Sequence, residues 1–533
     1  MALFHNTRKR RSRGSEPAHL NWMGGPSHWL DNPLMTLRMA ASSCFFGEPM
    51  YYHRDASDAR PTRNHHSSQL SDTQLAYLRK TLNALDPRDW RDKTPAEMME
   101  SAIDAALVAD ARATLAEAVR LRTEEHIRTT PQVILVRAAH HTAVRGTGLI
   151  REFAPRIIVR ADEPAVGLAY QLWRFGRPVP NSLKKAWRTA LASFSAHQLA
   201  KYRLENRQVK TVDVMNLVHP KGPAIDRLAR GALTLAGTTW ESLISRDGAS
   251  QQSWLKAIEV MGHMALLRNL RNLLAHEVPP AAFVDKLLAG ARTGRQLPFR
   301  YYSAYRAIED CAPGPVLDAV EDCLVLSLCN LPRFPGRVMS LCDNSGSAQG
   351  TTTSSMGTMA ISTIANLTGV LAGMRADEGY LGIFGDRLET VPVRPKSSIF
   401  DQLEHAETRA QNIGKGTETG IWLFWSQAIR KREHWDSVFV FSDMQAGHGR
   451  LYGSNPAEYS QFRWERGNYI DVPGLIATYR QKVNPKVNVY LVQIAGHQDT
   501  IVPEFYDRTF ILGGWSDGLF RFAAAMASVQ QTQ

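Results

Sequence analysis

The sequence of 533 residues has little cysteine: five residues are scattered along the chain without a CxxC pair. This scarcity argues against a zinc ribbon or a disulfide scaffold, and an odd number of cysteines fits a reducing compartment. There is also no apolar N-terminal segment of the kind that forms the core of a secretory signal. We therefore expect a cytoplasmic protein.

Acidic residues are outnumbered, with 51 Asp and Glu against 63 Lys and Arg and a net charge of +12. This balance favours an acidic partner, either nucleic acid or anionic lipid, without choosing between them. Hydrophobic residues make up 44% of the chain, which excludes a largely disordered protein. At about 100–200 residues per domain, the length predicts several globular units.

Long apolar runs are scarce as well. Residues 344–374 carry no charge, but Ser and Thr are dense among them. A membrane span needs about 20 predominantly apolar residues, so we expect a buried helix over 354–374 instead. No membrane partner is expected.

The first part of the chain has a helical pattern. Residues 1–19 are basic and predict a disordered arm, which is either a solvated tail or a weak contact with RNA. From about 74 to 330, apolar residues such as Trp254, Ile258 and Met261 recur at helical spacing, and Pro and Gly break the run into short helices. This texture favours stacked helix pairs of the HEAT or armadillo type over residues 20–334.

Strands alternate with helices over residues 335–533. The predicted strands cover 337–342, 380–384, 437–441, 487–494 and 509–512, and the predicted helices cover 354–374, 420–432, 472–482 and 516–528. Such alternation predicts an α/β domain whose parallel sheet is covered by helices on both faces. Binding sites in such domains lie at the carboxyl ends of the strands.

Acidic and hydroxyl side chains follow these strands. Asp343, Ser345 and Ser347 come after the first strand, Thr417 precedes a helix, and Asp443 follows the strand at 437–441. Carboxylate and hydroxyl oxygens suit Mg²⁺ or another divalent cation, although serines after a strand are also ordinary turn residues. The three-part pattern resembles the metal-ion-dependent adhesion site of von Willebrand factor A domains. The resemblance implies that these residues are the metal ligands and that one coordination position is open to an acidic group or water.

Basic residues concentrate in residues 181–230, which hold ten Lys and Arg and three acids. A strip of this kind binds phosphates, unless it is an ordinary solvated helix face. Trp187, Tyr202 and His197 are candidates for stacking on unpaired bases. The candidate RNA-binding residues are Lys184, Lys185, Arg188, Lys201, Arg203, Arg207, His219, Arg268 and Arg271. His219 is equally a candidate for a helix-capping residue, and it precedes Pro220, which predicts an extended or turn backbone.

Several strings, taken in order, resemble the Ro autoantigen family, whose helical part is called the TROVE domain. They are Lys201-Tyr-Arg, Val209-Lys-Thr-Val-Asp-Val-Met-Asn-Leu-Val-His-Pro220, Thr239-Trp-Glu-Ser-Leu-Ile-Ser245, Met261-Gly-His-Met-Ala-Leu-Leu-Arg-Asn-Leu-Arg-Asn272 and Leu297-Pro-Phe-Arg300, with Asn21 and Gly24-Gly25 near the start. The resemblance implies a HEAT-like helical ring followed by a Rossmann-like von Willebrand factor A domain, as in bacterial-type Ro ribonucleoproteins.

The same resemblance implies a function. Members of this family bind Y-like small noncoding RNA and the single-stranded ends of misfolded RNA, and some act with a ring exonuclease in RNA quality control or processing. Their role is that of a scaffold and not of an enzyme. Two alternatives remain: an adaptor whose metal site captures an acidic partner protein, and a metal-dependent hydrolase. The hydrolase is disfavoured because the site lacks the His and carboxylate cluster that such chemistry uses.

Overall fold

The structure is a computed structural model. It describes residues 19–20, 26–29, 32–42, 95–202, 208–233, 239–294, 296, 298–349, 360–417, 419–444, 472–494, 499–500, 508–513, 519–520 and 523–524. Two compact units are present: Met1–Ala232, Phe334–Pro395 and His405–Gln533 form the first, and Leu233–Arg333 with Lys396–Glu404 forms the second. The domain boundaries predicted at residues 19 and 334 stay predictions.

Short helices occupy most of the chain before residue 330. In the first unit they are α1 (Pro33–Ser42), α2 (Pro95–Ala109), α3 (Ala111–Thr123), α4 (Thr129–His140), α5 (Leu149–Ile157), α6 (Glu163–Arg174), α7 (Asn181–Ser193), α8 (Ala196–Lys201), α9 (Thr211–Val218) and α10 (Pro223–Ala229). Helices α3, α4, α5 and α7 each pack on the next helix but one as well as on a neighbour in sequence, and α6 packs on α4 and α7. The prediction of many short helices is confirmed, whereas the HEAT-like ring stays a prediction.

Local sequence explains where these helices break. Asp110 is the single residue between α2 and α3. Its backbone is extended, and its carboxylate accepts a hydrogen bond of 2.9 Å from the Ala113 N–H. An Asp in this position caps the first turn of a helix and so separates α2 from α3. Ser195 caps α8 in the same way, with Gln198 closing a reciprocal capping box.

The second unit is helical in its described residues. Its helices are α11 (Trp240–Asp247), α12 (Gln251–Val260), α13 (His263–Ala275), α14 (Val284–Thr293), α15 (Pro298–Ile308) and α16 (Gly314–Ser327). Helix α16 packs against both α14 and α15. The Glu321 carboxylate on α16 accepts a hydrogen bond of 2.6 Å from the Ile399 N–H, at the start of a later helix, α18 (Ile399–Ala410).

The α/β part of the first unit contains a six-stranded sheet. Its strands are β3 (Phe334–Asp343), β4 (Ala376–Phe384), β5 (Leu388–Pro392), β6 (Ser437–Ser442), β7 (Asn488–Gln493) and β9 (Thr509–Gly513), in the spatial order β5-β4-β3-β6-β7-β9. All neighbouring pairs are parallel except β4 and β5. The predicted parallel sheet is therefore confirmed. Its edge strand β5 is antiparallel and was not predicted.

Helices cover both faces of this sheet. Helix α17 (Ile361–Met374) packs on β3 and β4, and its Gly369 lies against the side chains of Cys342 and Leu381. On the other face, α19 (Phe424–Lys431) and α20 (Val472–Lys482) enclose an apolar core that includes Trp422, Trp425 and Tyr479. The helix predicted from residue 420 begins instead with a π-helical turn at Thr419–Leu423. The helix predicted over 516–528 lies largely outside the described residues.

The N-terminal segment also reaches the α/β part of this unit. Strands β1 (His19–Leu20) and β2 (Pro26–Trp29) pair with each other, and β2 pairs with β8 (Asp499–Thr500), which follows β7. Helix α1 packs on α2 and contacts β9. Residues 1–18, the predicted basic arm, lie outside the described residues.

Candidate metal centre and nucleic-acid interface

The predicted metal ligands lie at the switch point of the sheet. Strand β3 has β4 on one side and β6 on the other, so the strand order reverses there, and Cys342 pairs in register with Phe441. Asp343 ends β3, and Asp443 follows the last residue of β6. In open parallel sheets this is the place where loops diverge and leave a crevice for a ligand.

Three loops are tied together at this point. The Ser345 N–H donates to the Asp343 carboxylate at 2.9 Å, and the hydroxyls of Ser345 and Ser347 are 3.1 Å apart. The Ser442 hydroxyl, at the end of β6, donates to the other oxygen of Asp343. The loop that carries Thr417 is joined by the Gly346 N–H, which donates to the Lys415 carbonyl at 2.9 Å. Thus all three predicted parts of the site come together.

Gly346 allows this close approach. A Cβ atom at this position would lie 3.2 Å from the Cβ of Lys415, which is tighter than most packed contacts. The glycine in Asp-Asn-Ser-Gly-Ser therefore permits the first loop to lie directly on the second.

The acidic groups of the site are shielded from water. Asp343 is 0% exposed and Asp443 is 2% exposed, and Ser345, Ser347 and Thr417 are buried as well. Burial raises the pKa of Asp343, although hydrogen bonds from Ser345 and Ser442 oppose this shift. Two buried carboxyl groups at the ends of neighbouring strands form a site where positive charge would be stabilised.

Several residues that support the site were not predicted from the sequence. Asn344 and Asn366 exchange amide hydrogen bonds of 2.9 and 3.0 Å, which fixes the first loop to α17. The Gln493 amide donates to the Asp443 carbonyl at 2.9 Å and holds the third loop. For Asn344 and Gln493 the only sequence signal is a polar residue at a strand end, which is common in turns, and Asn366 lies within α17.

The basic residues of α7 lie on its solvent side. Leu183, Trp187 and Leu191 are fully buried, whereas Lys184 is half-buried and Lys185 and Arg188 are exposed. The prediction that Trp187 stacks on RNA bases is wrong, because its ring is 0% exposed and packs on Gly167. Trp187 lies at helical spacing from Leu183 and Leu191, and this apolar face of α7 packs into the core.

Arg188 connects this helix to the predicted turn at His219. The Arg188 Nε donates to the Val218 carbonyl at 2.5 Å, beside exposed His219. His219 ends α9 with a left-handed backbone, φ 48°, and its N–H donates to the Met215 carbonyl at 2.8 Å. The structure therefore gives His219 a helix-capping position and a turn backbone, and an extended backbone there is excluded.

The remaining candidate RNA-binding residues are spread over other elements. Lys201 is exposed, and its Nζ lies 5.6 Å from the centre of the Tyr202 ring, whose face is also approached by Arg160. Arg203 and Arg207 lie outside the described residues. In the second unit, Arg268 and Arg271 are both exposed on α13.

The asparagines of α13 bond within their own helix. The Asn269 amide donates to the Ala265 carbonyl at 2.8 Å, and the Asn272 amide donates to Asn269 at 2.9 Å. Asn269 is therefore buried and bonded within the helix, whereas Asn272 is exposed.

Two further features, a metal-binding cluster and a membrane-spanning helix, are absent from the described residues. Among them, no three His, Cys, Asp or Glu side chains come together as a metal cluster. Nor is any helix in this part of the chain long and apolar enough to cross a membrane. A metal site at Asp343 would thus depend on hydroxyl ligands in addition to carboxylates.

Comparison with known proteins finds similarity of architecture to a solved structure. No family model and no curated protein sequence matches the chain. The crystal structure of the Ro (RSR) protein of Deinococcus radiodurans is similar over 80% of this chain and 93% of that chain, with a TM-score of 0.56 and 14% sequence identity. At this low identity the likeness concerns the fold. The chain therefore has a Ro-type fold, in which helices precede an α/β part.

Proposed function

We propose that this protein is an RNA-binding scaffold that binds a Y-like small noncoding RNA and the single-stranded ends of other RNAs in RNA quality control or processing. The observation that carries the proposal is the cationic side of α7, with half-buried Lys184 and exposed Lys185 and Arg188, in a chain with a Ro-type fold. Clustered Lys and Arg bind RNA phosphates and release counterions. We propose a cytoplasmic location, a ring exonuclease as a partner and no catalytic role.

A mobility-shift titration tests this function. The full chain is titrated onto a hairpin RNA with a single-stranded tail, and Lys184→Glu combined with Lys201→Glu is expected to weaken binding by at least about tenfold, since each reversed charge repels a phosphate. Exposed Lys482 and Lys486 provide the matched control, because they lie in the α/β part and their double reversal preserves the change in net charge. Equal losses in both double variants would contradict a specific role for the helical surface.

We further propose that Asp343, Ser345, Ser347, Thr417 and Asp443 hold Mg²⁺ or another divalent cation. The donor set fits, because hard oxygen ligands surround two buried carboxyl groups whose charge a divalent cation would offset. When bound, such a cation offers an open position to an acidic group. Asp343 anchors the first loop, the hydroxyls of Ser345 and Ser347 face each other, and Ser442 orients Asp343 through its hydrogen bond.

Calorimetry tests this site separately. Asp343→Ala is expected to abolish the heat of Mg²⁺ binding and to leave RNA affinity largely unchanged, because the cationic residues are on other elements. Asp343→Asn keeps the side-chain shape and is expected to lose Mg²⁺ binding as well. Unchanged metal affinity in both variants, with folding verified by circular dichroism, would refute the ligand assignment.

The site also supports a second candidate function, that of an adaptor that captures an acidic group of a partner protein through the bound cation. The ultraviolet absorbance of protein purified at low salt separates the two functions. The RNA scaffold is expected to carry nucleic acid, whereas an adaptor is expected to show the spectrum of pure protein.

A further inference from the structure

A large cavity opens beside the cationic side of α7. It has a volume of about 1270 Å³ and lies between the C-terminal end of α4, the turn that follows it, α5, the segment after α6, and α7. Its volume exceeds the range of about 300–1,000 Å³ that is typical of small-molecule sites. The cavity lies entirely within the first unit, since its lining residues fall between Ala139 and Ser193.

The charge of the lining has one sign. Among the described residues that line the cavity, five are Arg or Lys and none is Asp or Glu: Arg145, Arg151, Lys184, Lys185 and Arg188. Within the described part of the chain, the side chains of Arg145, Arg151, Lys184 and Lys185 have no ion pair, and nearby Glu152 is paired with Arg112. An uncompensated set of cations around a concave surface attracts an anion with several charges.

One wall of the cavity is aromatic. The rings of His140 and Phe175 are stacked, with centroids 4.0 Å apart and an interplanar angle of 10°. Both rings line the cavity and both are half-buried. His140 is held in place by a contact of 2.7 Å between its Nε2 and the Gln171 Oε1, and Gln171 in turn donates to the Gly176 carbonyl at 2.9 Å.

Apolar side chains line the cavity as well: those of Ile150, Ala154, Ile158 and Val179. A ligand that suits this lining carries negative charge at one end and a flat ring at the other. An unpaired nucleotide has this chemistry, since its phosphates bind Arg and Lys and its base stacks on aromatic rings. A base inside a duplex is already stacked and cannot enter such a cavity without unpairing.

We propose that this cavity binds an unpaired nucleotide of the RNA, with its base against the His140–Phe175 pair and its flanking phosphates on the surrounding cations. This inference rests on the proposed RNA-binding function and adds to it a site for single-stranded RNA. Arg188, one of the lining cations, is held in place by its bond to the Val218 carbonyl.

The test uses the full chain and a hairpin RNA whose single-stranded tail contains 2-aminopurine, a base whose fluorescence falls on stacking. Binding to the unaltered protein is expected to quench this fluorescence. Phe175→Ala is expected to remove the quenching and to weaken binding about 5- to 100-fold, as for the loss of one stacked base. Trp173→Ala is the matched control, because Trp173 is 47% exposed, lies nearby and does not line the cavity.

A second pair of variants tests the cavity independently, in case Phe175→Ala does not fold. Arg151 and Arg156 are both exposed on α5, but only Arg151 lines the cavity. Arg151→Ala is expected to weaken binding of the tailed RNA several-fold, and Arg156→Ala is expected to bind as the unaltered protein does. A blunt duplex without a tail is expected to be insensitive to both substitutions.

The outcomes separate this inference from the proposed function. If the unaltered protein binds no RNA, the proposed function itself fails. If it binds RNA while quenching survives in Phe175→Ala, or if Arg151→Ala and Arg156→Ala behave alike, the function stands and the cavity assignment is overturned. If AMP alone binds as tightly as the tailed RNA, the cavity is a site for free nucleotides and the assignment to RNA is overturned.

Discussion

Gly369 lies where helix α17 comes closest to the sheet. A Cβ atom there would be 2.4 Å from the Cys342 Sγ and 2.6 Å from the Leu381 Cδ1, two side chains that are themselves fully buried. We expect Gly369→Ala to destabilise the α/β part by about 1–3 kcal/mol through overpacking. Differential scanning calorimetry should show a lower midpoint for that transition.

Gly314 supplies the control for this prediction. It is the first residue of α16, and a Cβ atom there would meet nothing within 4 Å. Gly314→Ala should leave the thermal transitions in place. A midpoint that does not move in Gly369→Ala would mean that the helix and the sheet pack less closely than described.

Single residues also show how far the sequence predicts the site. The closeness of Asp343, Ser345 and Ser347 to Asp443 was predictable because strand ends are local features and strands of a parallel sheet end at a common edge, whereas their role as metal ligands stays a prediction. Phe175 was not predictable, because it follows α6 in a loop and its stacking partner, His140, is on α4. A contact of this kind depends on helix packing, which one sequence does not specify.

At the scale of elements, one buried ion pair attaches α1 to α3. Arg38 on α1 donates two hydrogen bonds to Glu117 on α3, and Arg120 pairs with the same carboxylate. Burial by itself would raise the pKa of Glu117, but the bond from Arg38 and the charge of Arg120 outweigh it, so that this pKa lies below its usual value. Stability from this pair is present above the unfolded pKa of about 4.3 and is lost as the pH falls through the folded pKa.

This attachment yields a prediction for Glu117→Gln. The substitution leaves the half-buried Arg38 guanidinium without its carboxylate, which costs about 1–3 kcal/mol, so amide hydrogen exchange of α1 should accelerate about 5- to 100-fold at neutral pH. In the unaltered protein, the same acceleration should develop only as the pH is lowered below about 4.3. Equal exchange rates at neutral pH in the two proteins would show that the pair does not hold α1.

The elements also differ in how well their sequence predicts them. Strands β6 and β7 are fully buried, so their continuous apolar runs stand out, and the structure places them within a residue or two of the prediction. Strand β5 is short, half-exposed and ends in Pro392, which gives neither an alternating nor a continuous apolar pattern. Its position depends on pairing with β4, and that pairing is a tertiary interaction.

At the scale of the whole molecule, the two proposed binding activities depend on separate sets of side chains. The proposed RNA surface consists of cations of the helical part, and the proposed cation site lies at the switch point of the sheet. Addition of a chelator such as EDTA is therefore expected to leave the affinity for the hairpin RNA within about twofold, provided that Mg²⁺ is not needed to fold the RNA. A loss as large as that of Lys184→Glu with Lys201→Glu would show that the two activities are coupled.

The salt dependence of RNA affinity tests whether RNA phosphates bind the cations of the helical part. The dissociation constant of the full chain for the tailed hairpin RNA is measured over a series of salt concentrations, for the unaltered protein and for Lys184→Ala with Lys201→Ala. Each phosphate contact contributes about 0.7 to 0.9 to the slope of log affinity against log salt. We expect a steep slope for the unaltered protein and a slope shallower by about 1.5 for the double variant, whereas parallel slopes would show that Lys184 and Lys201 make no phosphate contacts.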